Sequence, residues 1–195
     1  PQKDRGMNNR WGSEIKTRRW DASFKLGYVF PETPYQSFGF QSAFSSHDQD
    51  SYYGLRTYDI NQESFYTNLI FNSIIGNTLN KFKVGLNYSF DTYMELVNVD
   101  AFQRTDQSVG GFFEFSHDNN DNFSLIAGVR MDFHNNFGSF LTPRVHFRYV
   151  PLEKFVIRLS AGSGRKAANI FAENQTLFAT NRAIKIESSD GKIYG

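Results

Sequence analysis

The chain has 195 residues with 21 Lys and Arg against 20 Asp and Glu, and its formal net charge of +1 gives no overall field to attract nucleic acid. It contains no cysteine, which excludes disulfides and thiolate metal sites. Aromatic residues make up 17% of the chain although its mean hydropathy is −0.50, so apolar and polar side chains must be strictly segregated.

No stretch of the chain has the length of a membrane-spanning helix. Such a helix needs about 20 consecutive apolar residues, and no apolar run approaches that length. The chain starts with the polar segment Pro1–Arg5, and the apolar core of a secretory leader does not follow it. We therefore expect either a processed chain or an internal part of a longer protein.

Apolar and polar residues alternate along most of the chain, as in β-strands with one apolar and one polar face. Phe82–Phe90 is a clear example, with an aromatic or aliphatic residue at every second position. The pattern predicts an all-β fold, an antiparallel meander of about eight strands long enough to cross a bilayer when tilted. They lie at about residues 13–30, 35–46, 62–75, 81–92, 108–117, 123–134, 141–150 and 155–164. A tail of about thirty residues without clear alternation follows.

The connections between these strands are predicted to alternate between short and long. Two long polar loops are expected at residues 47–61 and 93–107, and a loop of intermediate length at 135–140. Proline, glycine, asparagine and aspartate mark short turns at residues 31–34, 76–80, 118–121 and 151–154. Short turns on one rim and long loops on the other are typical of outer-membrane barrels.

The two faces of the predicted strands differ in composition. One face carries basic side chains that we expect to face a lumen: Arg130, Arg144, His146, Arg148 and Arg158. Acidic residues such as Asp132 and Glu114 would balance them, or they would form an anion-attracting wall. The other face carries aliphatic residues bounded by aromatic ones, like the girdles of membrane barrels, and is predicted to contact lipid.

Candidate residues for chemistry are few. The four histidines have no metal-ligand spacing, so no metal site is predicted. No nucleophile–base pair is visible, so we predict neither catalytic residues nor enzyme activity. Gly162–Lys166 lacks the spacing of a phosphate-binding loop, and no cofactor is expected.

Two segments in the second half of the chain resemble TonB-dependent receptors of the Bacteroidetes type. Leu141–Pro151 is similar to a strand of the form TPR(V/L)xxRY-P, and Arg158–Asn174 is similar to the motif SxGxGxRxANxxAEN. Lys166 departs from this second motif, and Gln62–Ile75 also resembles a barrel strand of these receptors. The second motif is matched at Arg165, Asn169, Glu173 and Asn174.

The resemblance implies a fold and a cellular location. The fold is a 22-stranded transmembrane β-barrel with an N-terminal plug, in the outer membrane of a Gram-negative cell. Residues 1–195 would then be a partial, middle portion of the barrel, without the plug and without the C-terminal strand. On its own this portion is expected to form a curved open sheet.

The resemblance also implies a function, the energy-driven uptake of a scarce nutrient such as an iron–siderophore complex or cobalamin. The implied partners are outer-membrane lipid, the plug domain and remaining strands, the TonB complex and a small nutrient ligand, but not nucleic acid. Contacts to that ligand are predicted in the two long loops, at Tyr52, Tyr53, Tyr58 and Arg104.

Two other functions remain open from the sequence alone. A complete, small eight-stranded outer-membrane barrel with a structural or enzymatic role fits the strand count, although the tail after Gly164 argues against closure. A soluble ligand-binding β-barrel fits the alternation if the aromatic face points inward.

Overall fold

The computed structural model describes residues 11–119 and 122–179. They form one antiparallel sheet of eight strands in chain order: β1 Ser13–Val29, β2 Ser37–Tyr53, β3 Arg56–Ile75, β4 Asn77–Val97, β5 Asp100–Asp118, β6 Phe123–His134, β7 Gly138–Leu152 and β8 Phe155–Gly162. A short helix, α1 Ile170–Glu173, and a 3₁₀ turn, Gln175–Leu177, follow. No helix in the described part of the chain is long and apolar enough to cross a membrane.

The sheet is open. Each strand pairs with its sequence neighbours, and within the described ranges no ladder joins β1 to β8. The predicted all-β meander is therefore confirmed. The alternative of a complete, closed eight-stranded barrel is wrong, because closure requires the first and last strands to pair.

The strand register places the predicted basic residues on one face. Arg130 lies directly opposite Thr142, and Arg148 lies directly opposite Arg158. Arg144 shares this face because it lies two residues from Thr142 along β7. We call this side of the sheet the polar face.

The opposite side, the apolar face, is the more exposed of the two. Phe24 and Leu86 on this side are 57% and 62% exposed, whereas Asn87 and Asp132 on the polar face are each 3% exposed. This asymmetry is that of a sheet curved toward its polar face. A soluble barrel would instead bury the aromatic side, so the soluble alternative does not fit.

The apolar face has the height of a bilayer core over only part of each long strand. On β4 the apolar belt runs from Phe82 to Phe90, which is nine residues, the number that a tilted strand needs to cross the hydrocarbon layer. The whole strand has 21 residues, or about 70 Å. Strands β2 to β5 therefore continue well beyond the belt. Residues 45–64 and 91–106 form two tall hairpins there.

The two predicted long loops are wrong, because residues 47–61 and 93–107 are mostly paired strand. Two residues suffice for each connection, and the chain turns at Gly54 and at Asn98, with φ of +65° and +56°. A positive φ at the first central residue is typical of tight hairpin turns. The two rims of the sheet therefore differ because β2 to β5 extend further at one rim. The two connections at that rim are tight turns and not the long loops expected.

The loop prediction failed because the alternation continues in the tall hairpins with opposite polarity. On β3, Asp59, Asn61 and Glu63 lie on the side that is apolar lower down, while Tyr58 and Ile60 lie on the side that is polar lower down. Above the belt the outer solvent is water. On β3, polar side chains therefore face outward and apolar side chains face inward, whereas on β4 Met94 and Leu96 still face outward.

Replacing Leu86 by Arg at the centre of the belt tests the boundary of the apolar face. We expect Leu86→Arg to lower the free energy of unfolding of the full-length protein in phospholipid vesicles by about 2–4 kcal/mol, because lipid does not solvate the guanidinium. The measurement is a urea titration in vesicles. Met94→Arg is the matched control, since Met94 lies on the same side of β4 but above the belt, and is 57% exposed. Equal costs for both variants would contradict the assigned belt.

Replacing Gly110 by Ala tests how tightly the polar face is packed. A Cβ at Gly110 would lie 2.1 Å from Oδ1 of Asp132 and 2.7 Å from the end of the Asn87 side chain. We expect Gly110→Ala to destabilise the barrel by about 1–3 kcal/mol in the same titration, because these buried side chains must move. Gly39→Ala is the control, as no atom lies within 4 Å of its added Cβ. A neutral Gly110→Ala variant would argue against close packing here.

Candidate functional site

The inner side of the tall hairpins is covered by the chain segment that follows β8. We call this segment, residues 163–179, the clasp. Its Phe171 and Phe178 are 6% and 3% exposed and pack against Tyr58, Ile60 and Val97. The rings of Tyr58 and Phe178 are stacked, with centroids 5.2 Å apart. The clasp thus completes an apolar core shared by both hairpins.

A buried carboxylate, Glu95, anchors the first half of the clasp. Its Oε1 accepts hydrogen bonds from the Tyr58 hydroxyl at 2.7 Å and from Nδ2 of Asn169 at 3.1 Å. Nearby, Nη1 of Arg104 donates to the carbonyl of Ala168 at 3.1 Å. Burial, together with the hydrogen bond to Glu95, raises the pKa of Tyr58 above its ordinary value, so the phenol stays protonated.

The second half of the clasp is anchored to the first tall hairpin. Nη1 of Arg56 donates to the carbonyl of Leu177 at 3.0 Å, and the Tyr53 hydroxyl donates to Oε1 of Gln175 at 3.3 Å. Both donors flank the hairpin turn, so the clasp is fastened close to the tip of the sheet.

A groove of about 770 Å³ lies on the polar face beside the clasp. This volume is within the range of small-molecule sites, about 300–1,000 Å³. The clasp contributes Arg165 and Lys166, and the Arg165 guanidinium lies 5.6 Å from the ring centroid of Phe140. The aromatic and charged residues of the wall are Tyr93, Phe137, Phe140, Asp91, Asp106, Arg130, Asp132 and His134.

Four of the six charged residues that line the groove take part in ion pairs, two of them with partners outside the lining. Nε of Arg130 donates to Oδ2 of Asp132 at 2.7 Å. Nε of Arg104 lies 3.1 Å from Oδ2 of Asp106, whose other oxygen accepts from Nδ2 of Asn136 at 2.7 Å. Because the lining has three acidic and three basic side chains, the wall offers directed polar contacts without an excess of either charge.

A second ionic cluster lies lower on the polar face. The Glu114 carboxylate is largely buried and accepts from Nζ of Lys83 at 3.0 Å and from the guanidinium of Arg144. The three side chains come from β4, β5 and β7, with Gly128 of β6 between them. A glycine at this register leaves room for Arg144 to reach across β6.

A family model described as TonB dependent receptor-like, beta-barrel matches residues 2–192 of the chain. The chain belongs to this family. No curated protein matches it significantly. Barrels of TonB-dependent receptors serve transport in the outer membrane and are not enzymes. Within the described residues, no group of three or more His, Cys, Asp or Glu could hold a metal ion.

The predicted basic residues of this receptor barrel have different surroundings. Arg130 and Arg144 are paired with acidic side chains, which agrees with the charge-balanced alternative. Arg148 and Arg158 lie opposite each other on β7 and β8, and neither forms an ion pair with a described residue. Nδ1 of His146 lies 2.9 Å from a serine hydroxyl of β8.

The four predicted ligand contacts are not brought together. Tyr53, Tyr58 and Arg104 lie on the inner side of the tall hairpins, but Tyr52 lies on the opposite side, because consecutive strand residues point in opposite directions. Tyr58 is fully buried beneath the clasp, and the Arg104 side chain is 9% exposed. With the clasp docked, a ligand in the groove cannot touch Tyr52 or Tyr58.

The four matched motif residues organise the clasp. Oδ1 of Asn169 accepts from the backbone N–H of Ala172 and caps α1, and Nδ2 of Asn174 donates to a carbonyl of the same helix. Glu173 accepts from Nζ of Lys166 at 2.8 Å, and this hydrogen bond lowers the pKa of Glu173. Arg165 borders the groove.

Three residues of the clasp site were missed from the sequence: Glu95, Phe171 and Phe178. Glu95 fell within a segment predicted to be a loop, and the two phenylalanines fell in a tail without alternation. The signal that could have found them is the reversed alternation, since Tyr58 and Ile60 face inward and require an apolar partner.

Replacing Glu114 by Gln tests the lower ionic cluster. We expect Glu114→Gln to destabilise the full-length receptor by about 1–2 kcal/mol, less than for a fully buried pair, because both basic partners are half exposed. Urea unfolding in vesicles measures the effect. Adding Arg144→Gln should recover part of the loss by removing one unpaired cation. Lys25→Gln is the control on the same face, and a Glu114→Gln variant as stable as this control would contradict the prediction.

Proposed function

We propose that the chain forms part of the barrel wall of a receptor that takes up a scarce nutrient, either an iron–siderophore complex or cobalamin. The TonB complex of the inner membrane would supply the energy. The groove on the polar face, beside the clasp and level with the start of the tall hairpins, is the observation that carries this proposal.

Two properties of the groove support a ligand site. It combines the aromatic rings of Tyr93, Phe137 and Phe140 with paired charges, so one ligand can meet both flat apolar surfaces and directed hydrogen bonds. It also lies at the upper end of the apolar belt, where a ligand from outside the cell would enter the lumen.

The ligand contacts predicted from the sequence are revised accordingly. Tyr93, Phe140 and Arg165 line the groove and are the first candidates. Tyr53 and Arg104 remain proposals, since both lie on the inner side of the hairpins above it. The exposed apolar belt supports contact with outer-membrane lipid. The polar face is proposed to contact the plug domain of the same receptor through Arg148 and Arg158, which form no ion pair with a described residue.

An uptake measurement with the full-length receptor tests this function. Cells with and without the gene are given radiolabelled ferric siderophores or radiolabelled cyanocobalamin. We expect the gene to increase accumulation of one of these compounds, and an uncoupler of the proton gradient to abolish the increase.

Two controls separate transport from surface binding and from general damage. Accumulation that persists with the uncoupler would indicate binding without transport. Lys154→Ala, in the β7–β8 turn on the opposite rim, should leave uptake unchanged. Equal accumulation with and without the gene, for every compound, would contradict the proposed ligands.

A further inference from the structure

The side chain of Asn169 makes two different contacts at once. Its Oδ1 accepts from the N–H of Ala172 at 3.0 Å, which caps α1 within the clasp. Its Nδ2 donates at 3.1 Å to Oε1 of Glu95, which belongs to the second tall hairpin. A carboxylate or a hydroxyl could serve as the cap, but an amide offers the acceptor and the donor together in this geometry.

The partner of Asn169 is itself buried and strongly bound. Glu95 is 8% exposed, and its Oε1 also accepts from the Tyr58 hydroxyl at 2.7 Å. Tyr58 is fully buried against Phe171 and Phe178. The hydrogen bonds from Asn169 and Tyr58 to Glu95 therefore join the clasp to both hairpins through one buried carboxylate. Removing a donor to a buried carboxylate costs stability, because water does not replace the lost hydrogen bond.

The position of Asn169 links this anchor to the groove. Arg165, which borders the groove and lies over the ring of Phe140, precedes Asn169 by four residues along the clasp. Between them, the carbonyl of Ala168 accepts from Arg104. The stretch that presents Arg165 thus depends on the attachment immediately after it.

We propose that Asn169 is a positioning residue: its bond to Glu95 fastens the clasp onto the tall hairpins and thereby sets Arg165 at the rim of the ligand groove. The first part stands on the contacts alone, and the second rests on the proposed function of the groove. Loss of the bond lifts the clasp and exposes the core beneath it.

A single cysteine reports on the clasp without any ligand. The chain has no cysteine, and Val97 is 1% exposed beneath the clasp, so Val97→Cys is placed in the full-length receptor after any cysteine elsewhere has been replaced. Intact cells are treated with a membrane-impermeant maleimide. Val99→Cys, at a position 88% exposed in the adjacent turn, is the control and should label fast in every background.

The test variant is Asn169→Asp, which keeps the helix cap but places a carboxylate against Glu95. We expect it to speed labelling of Val97→Cys by about tenfold or more. Adding Glu95→Gln should restore much of the protection, because it removes the repulsion between the two carboxylates. The glutamine carbonyl accepts from Tyr58, and the glutamine amide, at the position of the second Glu95 oxygen, donates to the new aspartate once that side chain turns toward it. This rescue separates a direct bond from general damage.

Two results would overturn the fastening. Unchanged protection of Val97→Cys in the Asn169→Asp background contradicts the proposal. Faster labelling that the added Glu95→Gln leaves unchanged also contradicts it. If the Asn169→Asp receptor does not reach the membrane, Asn169→Ser replaces it, since serine keeps the cap but lacks the amide that reaches Glu95, and it adds no charge. Protection equal to the parent in that variant also contradicts the proposal.

Uptake of the compound identified for the parent receptor tests the link to the groove. We expect Asn169→Asp to raise the half-saturating concentration several-fold, and Glu95→Gln to reverse the rise. Faster labelling with unchanged uptake would overturn the placement of Arg165 and leave the fastening intact. If no compound is taken up by the parent receptor, the proposed function fails, while the labelling result still decides the fastening.

Discussion

The backbone ladder between neighbouring strands is the constraint on which this structure depends. Lipid offers no hydrogen-bond partners, so every peptide group within the bilayer must be paired by another strand. Seven successive antiparallel ladders meet this requirement on both sides of β2 to β7, while β1 and β8 each pair on one side within the described residues. With the backbone satisfied in this way, the side chains are free to specialise by face and by height. All the functional features described for this chain follow from that division.

Height decides which face is apolar. Within the belt, rows such as Phe82–Phe90 are exposed as a lipid-facing wall requires, and the polar face carries ionic clusters around Glu114 and Asp132. Above the belt, water replaces lipid on the outside, and the inner side gathers Tyr58, Ile60 and Val97 into a core. The clasp closes that core much as a soluble protein closes its own. One continuous strand therefore contributes to two hydrophobic surfaces on opposite sides of the sheet.

Most of the belt could be predicted from the sequence, and most of the region above it could not. In the belt, each face of the sheet has the same surroundings along the whole segment, so the alternation in Phe82–Phe90 indicates both a strand and its two faces. The basic row at Arg144 could be predicted in the same way. Residues 47–61 contain few apolar residues, and the polar residues on their outer face, such as Asp48, Asp50 and Asp59, resemble a loop. The partner of Asn169 was beyond reach for a different reason: Glu95 is 74 residues away in sequence, and only the strand register brings it near.

The inner core of the tall hairpins restricts how they can change during evolution. Inserting one residue into a strand moves every side chain beyond it to the other face, which would expose the inner core and bury the acidic row. Inserting or deleting two residues in a strand keeps every side chain on its original face. Both strands of a hairpin must change length together to keep their pairing. The tall hairpins can therefore grow or shorten only in steps of about four residues. Insertions and deletions of other lengths are confined to the tips, at Gly54 and Asn98, where no register is disturbed.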